Sequence, residues 1–102
     1  MGISIFLDDR RPTPKGFERM YTVPETIELI KNCQENGTEI DMLSLDNDLG
    51  EGEAEGNTLL EWLEEQFYAD DSFRLPNKIL IHSDNAAARE RMEMMIARLY
   101  GE

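Results

Sequence analysis

Three short apolar runs in this chain each stop abruptly at a polar cluster. Ile3-Ser4-Ile5-Phe6-Leu7 ends at Asp8-Asp9, Ile40 to Leu45 ends at Asp46-Asn47-Asp48, and Lys78 to Ile81 ends at His82-Ser83-Asp84-Asn85. β-branched and aromatic runs bounded in this way read as buried strands. Helical patterns lie between them. Thr22 and Glu25 have capping-box spacing with Pro24 in the first turn, Ile27, Ile30 and Cys33 follow at helical spacing, and Gly37 stops that helix. Leu59, Leu60, Leu63 and Phe67 make a second stripe, and Ala88, Met92, Met95, Ile96 and Leu99 a third. The methionines of the third read as core filler.

Arg19 to Val23 predicts a further strand, and the proline-containing stretch Arg10 to Gly16 a loop. Strands separated by helices pair in parallel through right-handed crossovers. The expectation is therefore a single α/β domain over residues 1–102. It would be a small three-layer sandwich around a mainly parallel sheet of about four strands, its first two strands joined without a helix.

Charge narrows the partners. The chain carries 22 acidic and 10 basic residues, for a net charge of -12. Thirteen of the acids, and no Lys or Arg, lie between Asn32 and Phe73. Such a surface repels duplex nucleic acid, and most of these charges read as a solvated face. Gly50 to Gly56 reads as a mobile acidic loop. No run approaches the ~18 apolar residues of a membrane span, and no leader-like segment opens the chain. A lone cysteine, Cys33, excludes an internal disulfide and a Cys-rich zinc site. A cytoplasmic protein without membrane contact is expected.

In an open parallel sheet, ligands bind beyond the carboxyl ends of the strands. The three polar clusters should meet there. Adjacent carboxylates at Asp8-Asp9 repel unless a cation or arginine offsets them; the structural alternative is a turn cap. Asp46-Asn47-Asp48 begins like a calcium loop, but Gly50 falls one place early and position twelve is Asn57, which excludes an EF-hand. His82 is the only histidine, and a lone histidine is often structural. Here a helix start follows it, which offers backbone N–H groups to an anion, with Arg89 one turn on. Carboxylates beside an anion site suggest phosphate chemistry. Either Mg²⁺ or another divalent cation on Asp8, Asp9 and Asp46, or the guanidinium groups of Arg10 and Arg11, would remove the charge conflict. The residues alone leave both open.

The stretches Phe6-Leu7-Asp8-Asp9-Arg10-Arg11-Pro12, Leu43-Ser44-Leu45-Asp46-Asn47-Asp48-Leu49-Gly50 and Ile81-His82-Ser83-Asp84-Asn85, with Arg89-Glu90-Arg91-Met92 after them, resemble the cyclic-phosphate processing receiver-like domains of bacteria and phages. The resemblance covers nearly the whole chain. It implies a truncated receiver-like, flavodoxin-like topology, with Asp8 and Asp9 as the acidic pair and Asp46 as the central aspartate. The family commonly reads Leu-Asp-His-Asp-Leu in the middle motif, where this chain has Asn47. Asn47 cannot serve as a general base near neutral pH. Nor does the chain show the fifth strand and following lysine of a phosphorelay receiver.

The leading expectation is a phosphoesterase acting on a cyclic or nucleotide-derived phosphate. Asp46, His82 and Asp9 would be catalytic, and Asp8, Asp9 and Asp46 would hold metal. Arg10, Arg11, Asn47, Asp48, Ser83, Asn85 and Arg89 would bind substrate. The alternative is a degenerate module that binds a phosphorylated ligand or protein without turnover. A third is an acidic interaction protein directed at a basic surface.

Overall fold

The structure, a computed structural model, describes residues 2–101. Its elements in chain order are β1 (Gly2–Leu7), β2 (Phe17–Met20), α1 (Val23–Asn36), β3 (Glu39–Leu45), α2 (Gly56–Ala69), β4 (Ile79–Ile81) and α3 (Ala86–Leu99). The four strands form one all-parallel sheet in the order β2-β1-β3-β4. This is the doubly wound order 2-1-3-4-5 without a fifth strand among the described residues. The fold is a truncated receiver-like α/β domain, as the strand–helix alternation and the resemblance implied.

The second strand lies earlier than the sequence suggested, at Phe17–Met20 instead of Arg19 to Val23. The capping box decides this. Thr22 adopts the extended N-cap conformation, its hydroxyl accepts from Glu25 N at 3.3 Å, and Glu25 Oε1 accepts from Thr22 N at 3.1 Å. Val23 thereby becomes the first residue of α1 and is buried in the core. Gly37 ends the helix in the left-handed region, at φ 72°.

Successive strand residues point to opposite faces. Ile5 and Leu7 of β1, Leu43 and Leu45 of β3 and Ile79 of β4 share one face and pack with residues of all three helices in a single core. A register shift between Ile3 and Ser4 in the β1–β3 pairing lets Ile40 join them despite its odd spacing from Leu43. α2 lies between α1 and α3. The chain steps from β2 to β3 and from β3 to β4 in the same direction, so right-handed crossovers place α1 and α2 on that one face.

The step from β1 to β2 runs the other way, so its connection belongs on the opposite face. Residues 8–16 make it as a loop. Arg19 of β2, whose guanidinium carbon lies 5.7 Å from the Phe6 ring centroid, ties that loop down. Its Nε donates to Asp8 O at 2.7 Å, and its Nη1 to Arg11 O at 2.6 Å and Thr13 Oγ1 at 2.9 Å. The third layer is thus an arginine-pinned loop instead of a helix, and Leu80 on the same face stays 38% exposed. Among the described residues no helix is long and apolar enough to cross a membrane.

Candidate functional site

Leu7, Leu45 and Ile81 stand in one register row across β1, β3 and β4. The next residue on each strand extends the ladder by one bond. Asp8 N donates to Met20 O at 3.1 Å, Asp46 N to Leu7 O at 3.0 Å, and His82 N to Leu45 O at 3.1 Å. Asp8, Asp46 and His82 are therefore equivalent positions at the carboxyl edge. They sit around the point where the strand order reverses, which is where open α/β sheets bind ligands. One step beyond core-facing residues, their side chains turn to the loop-covered face.

Asp8 is buried, 1% exposed. Its Oδ1 accepts from Arg10 N at 2.7 Å and Arg11 N at 2.9 Å, and its Oδ2 lies 2.9 Å from His82 Nε2. Burial pushes this carboxyl up, but the two backbone N–H donors and His82 outweigh it and leave the pKa below the ordinary 3.8. Burial pushes His82 below its ordinary 6.5, against the opposing pull of Asp8 and Asp46. A carboxylate only accepts, so Nε2 carries a hydrogen, and in the neutral ring that burial favours Nδ1 accepts from the hydroxyl of Ser44, 2.8 Å away. Phe6 stacks on the ring with 4.5 Å between centroids and 6° between planes.

One ligand atom from each of Asp8, Asp46 and His82 lies within 4.8 Å of the others, so these three side chains can hold a metal ion. The donor set fits one: two carboxylates and an imidazole suit a divalent cation. Asp46 Oδ1 accepts only the N–H of Asn47, at 2.7 Å. Asp9 is not a member of the group. It is half-buried, with its Oδ2 3.4 Å from where a Cβ on Gly50 would stand. Its Oδ1 is the one buried side-chain oxygen or nitrogen without a hydrogen-bond partner among the described residues. Such an atom costs about 1–3 kcal/mol unless water or a cation reaches it.

Residues 3–98 match the family described as the cyclic-phosphate processing receiver domain. The chain belongs to that family. No curated protein and no solved structure matches the chain.

In this receiver domain the remaining sequence-selected residues take several places. Arg11 joins the site as a strap: Nη1 donates to the His82 carbonyl, Nη2 lies 2.9 Å from Asp84 Oδ2, and Nε is 3.9 Å from Asp8 Oδ2. Arg10 is exposed and lines a cleft of about 380 Å³ with Asp48, Glu51, Glu53 and Glu55. Asn47 is 1% exposed. Its carbonyl accepts from Gly56 N at 2.8 Å and its Oδ1 from Asn57 N at 3.3 Å, so it caps α2, whose own N-cap Glu55 makes no side-chain cap bond. Ser83 and Asn85 are occupied with α3: Ser83 Oγ accepts from Asn85 N at 3.1 Å, and Asn85 Oδ1 from Ala88 N at 3.1 Å. Arg89 is exposed, with Glu93 3.6 Å away along the helix.

Sequence reasoning missed Ser44 and Arg19. Ser44 carried one signal, a hydroxyl inside the apolar run Leu43-Ser44-Leu45. Arg19 carried none, because its role depends on which strand lies beside β1.

Proposed function

We propose that this domain is a cation-assisted phosphoesterase that opens a cyclic or nucleotide-derived phosphate at the carboxyl edge of its sheet. The observation that carries this reading is the convergence of Asp8, Asp46 and His82 within 4.8 Å in a member of the cyclic-phosphate processing family. A divalent cation there would offset the repulsion between carboxylates and phosphate and polarise a phosphoryl oxygen. The imidazole favours Mn²⁺ or Zn²⁺ over Mg²⁺. Asp46 orients the attacking water from its carboxylate. Water adds to phosphorus, one ring P–O bond breaks, the leaving oxygen keeps the proton supplied by that water, and the product is a phosphomonoester. Arg10, exposed beside Asp48, Glu51, Glu53 and Glu55, would be the guanidinium that meets phosphate oxygens. A phosphate-bearing small molecule is the expected partner, with duplex nucleic acid disfavoured by the net charge of -12.

Phosphorus NMR with a panel of cyclic phosphates tests this, with Mn²⁺, Zn²⁺ or Mg²⁺ and with chelator. A phosphomonoester signal that needs both cation and Asp46 supports the reading; a signal that survives chelation or Asp46→Ala removes it. The burial of Asn47, in the place of the family's usual histidine, favours a second reading: ligand binding without turnover. Saturable binding with no product would establish that one.

A further inference from the structure

Ser44 meets the His82 ring at Nδ1, while the other ring nitrogen faces Asp8. It is 8% exposed on β3, between Phe6 on β1 and Leu80 on β4 in the register. Its Oγ lies 2.8 Å from His82 Nδ1. With the other ring nitrogen 2.9 Å from Asp8 Oδ2 and one ring face against Phe6, the imidazole is held at three points. The Asp8–His82 contact has a chemical consequence. Nε2 cannot bear a hydrogen and bind a cation at once, so a cation entering the group must take the place of that hydrogen. The neutral ring then carries its hydrogen on Nδ1.

A hydroxyl is the one side-chain group at this point that serves either state, since it both donates and accepts. We infer that Ser44 is a positioning residue that follows the His82 proton. It donates to Nδ1 when Nε2–H faces Asp8, and it accepts from Nδ1–H when Nε2 is given to a divalent cation. The inference rests on the cation reading above and assigns the partner that makes His82 a ligand. Metal-bound histidines generally need such an acceptor on the far nitrogen, and losing it costs about 10- to 100-fold in affinity.

His82 is the only histidine of the chain, so its ring nitrogens can be read without ambiguity. Nitrogen-15 NMR of the ring, in a titration of metal-free protein with Zn²⁺ alone, is the experiment. The metal-free protein should show hydrogen on Nε2, and the saturated protein hydrogen on Nδ1. Ser44→Ala should weaken Zn²⁺ at this ring by about 10- to 100-fold, and Ser44→Thr, which keeps the hydroxyl, should recover most of the loss. An Nδ1–H ring in the metal-free protein, or equal Zn²⁺ affinity in the wild type and Ser44→Ala, overturns the role of Ser44 alone. If the wild-type ring ignores saturating Zn²⁺, the cation reading falls and takes this inference with it.

Discussion

His82 Nε2 lies 2.9 Å from Asp8 Oδ2, and the two side chains come from strand ends 74 positions apart. Neither strand touches the other; β3 stands between them. The contact exists because both residues follow the same register row, and the side chains reach across the end of β3 on the side where no helix intervenes. Asp8 has its negative charge held by backbone N–H donors, while His82 is kept neutral chiefly by burial.

Both groups therefore make the fold weaker in acid. His82 has a folded pKa below its ordinary 6.5, and Asp8 a folded pKa below 3.8. A lowered pKa means that the unfolded chain takes up the proton first. The stability each group contributes is whole above its ordinary value and is lost as pH falls through the folded one. Thermal unfolding of metal-free protein should show Tm falling as pH drops below about 6.5, with a further loss below about 3.8, each group adding at most about 1.4 kcal/mol per pH unit. His82→Gln should flatten the upper limb and leave the lower. A wild-type curve parallel to that of His82→Gln from pH 7 to pH 5 would show that His82 does not titrate differently on folding.

Arg11 makes two kinds of contact that respond differently to salt. Its partner Asp84 is 90% exposed, so that ion pair is open to screening. Its bond to the His82 carbonyl is not an ion pair and fixes the loop to β4. Asp84→Asn should leave Tm nearly unchanged, and Arg11→Ala should lower it, with the gap between the two persisting in 1 M salt. Equal effects that vanish in salt would reduce Arg11 to a surface charge.

How far the site was legible follows from the same register. The three polar clusters were visible because each ends an apolar run, and the parallel order puts such ends together. The convergence of Asp8, Asp46 and His82 needed only that inference; the metal set read from the sequence was Asp8, Asp9 and Asp46, with His82 catalytic, and the structure groups His82 in place of Asp9. The sequence could not separate Asp8 from Asp9, because which of two adjacent carboxylates points inward depends on strand parity at the last paired residue. The capping contacts of Asn47, Ser83 and Asn85, which the sequence reading assigned to substrate, were not legible, because a capping role needs the position of a helix start in space. The shift of β2 was legible in principle. A capping box at Thr22 and a strand running through Val23 are incompatible, and a buried Val23 satisfies the core equally well from the first turn of α1.

Asn47 offers a direct test of that capping role. Replacing it with alanine removes the side-chain acceptor from Asn57 N while leaving the backbone bond to Gly56 N. Loss of a side-chain cap costs about 0.5–2 kcal/mol. Urea unfolding of Asn47→Ala should give a loss in that range, with Zn²⁺ affinity retained, because Asp46 Oδ1 is held by the Asn47 backbone N–H and not by its side chain. A stable variant that no longer binds Zn²⁺ would instead place the Asn47 amide in the binding site.

Gly56 couples the start of α2 to the central aspartate. A Cβ built there would stand 2.1 Å from Asp46 O and 3.0 Å from Asp46 C, both backbone atoms with no rotamer to give way. The helix approaches β3 this closely only because residue 56 has no side chain. Gly56→Ala must displace either the first turn of α2 or the Asp46 peptide, and overpacking of this kind costs about 1–3 kcal/mol. The displaced turn carries the N–H groups that Asn47 caps, and the displaced peptide carries the Asp46 carboxylate. The variant should therefore lose stability and also bind Zn²⁺ more weakly than Asn47→Ala, although both act on the same helix start. Calorimetric titration of the two variants beside the wild type decides it. Lower stability with wild-type affinity in Gly56→Ala would mean that the helix alone yields and that Asp46 is held by β3.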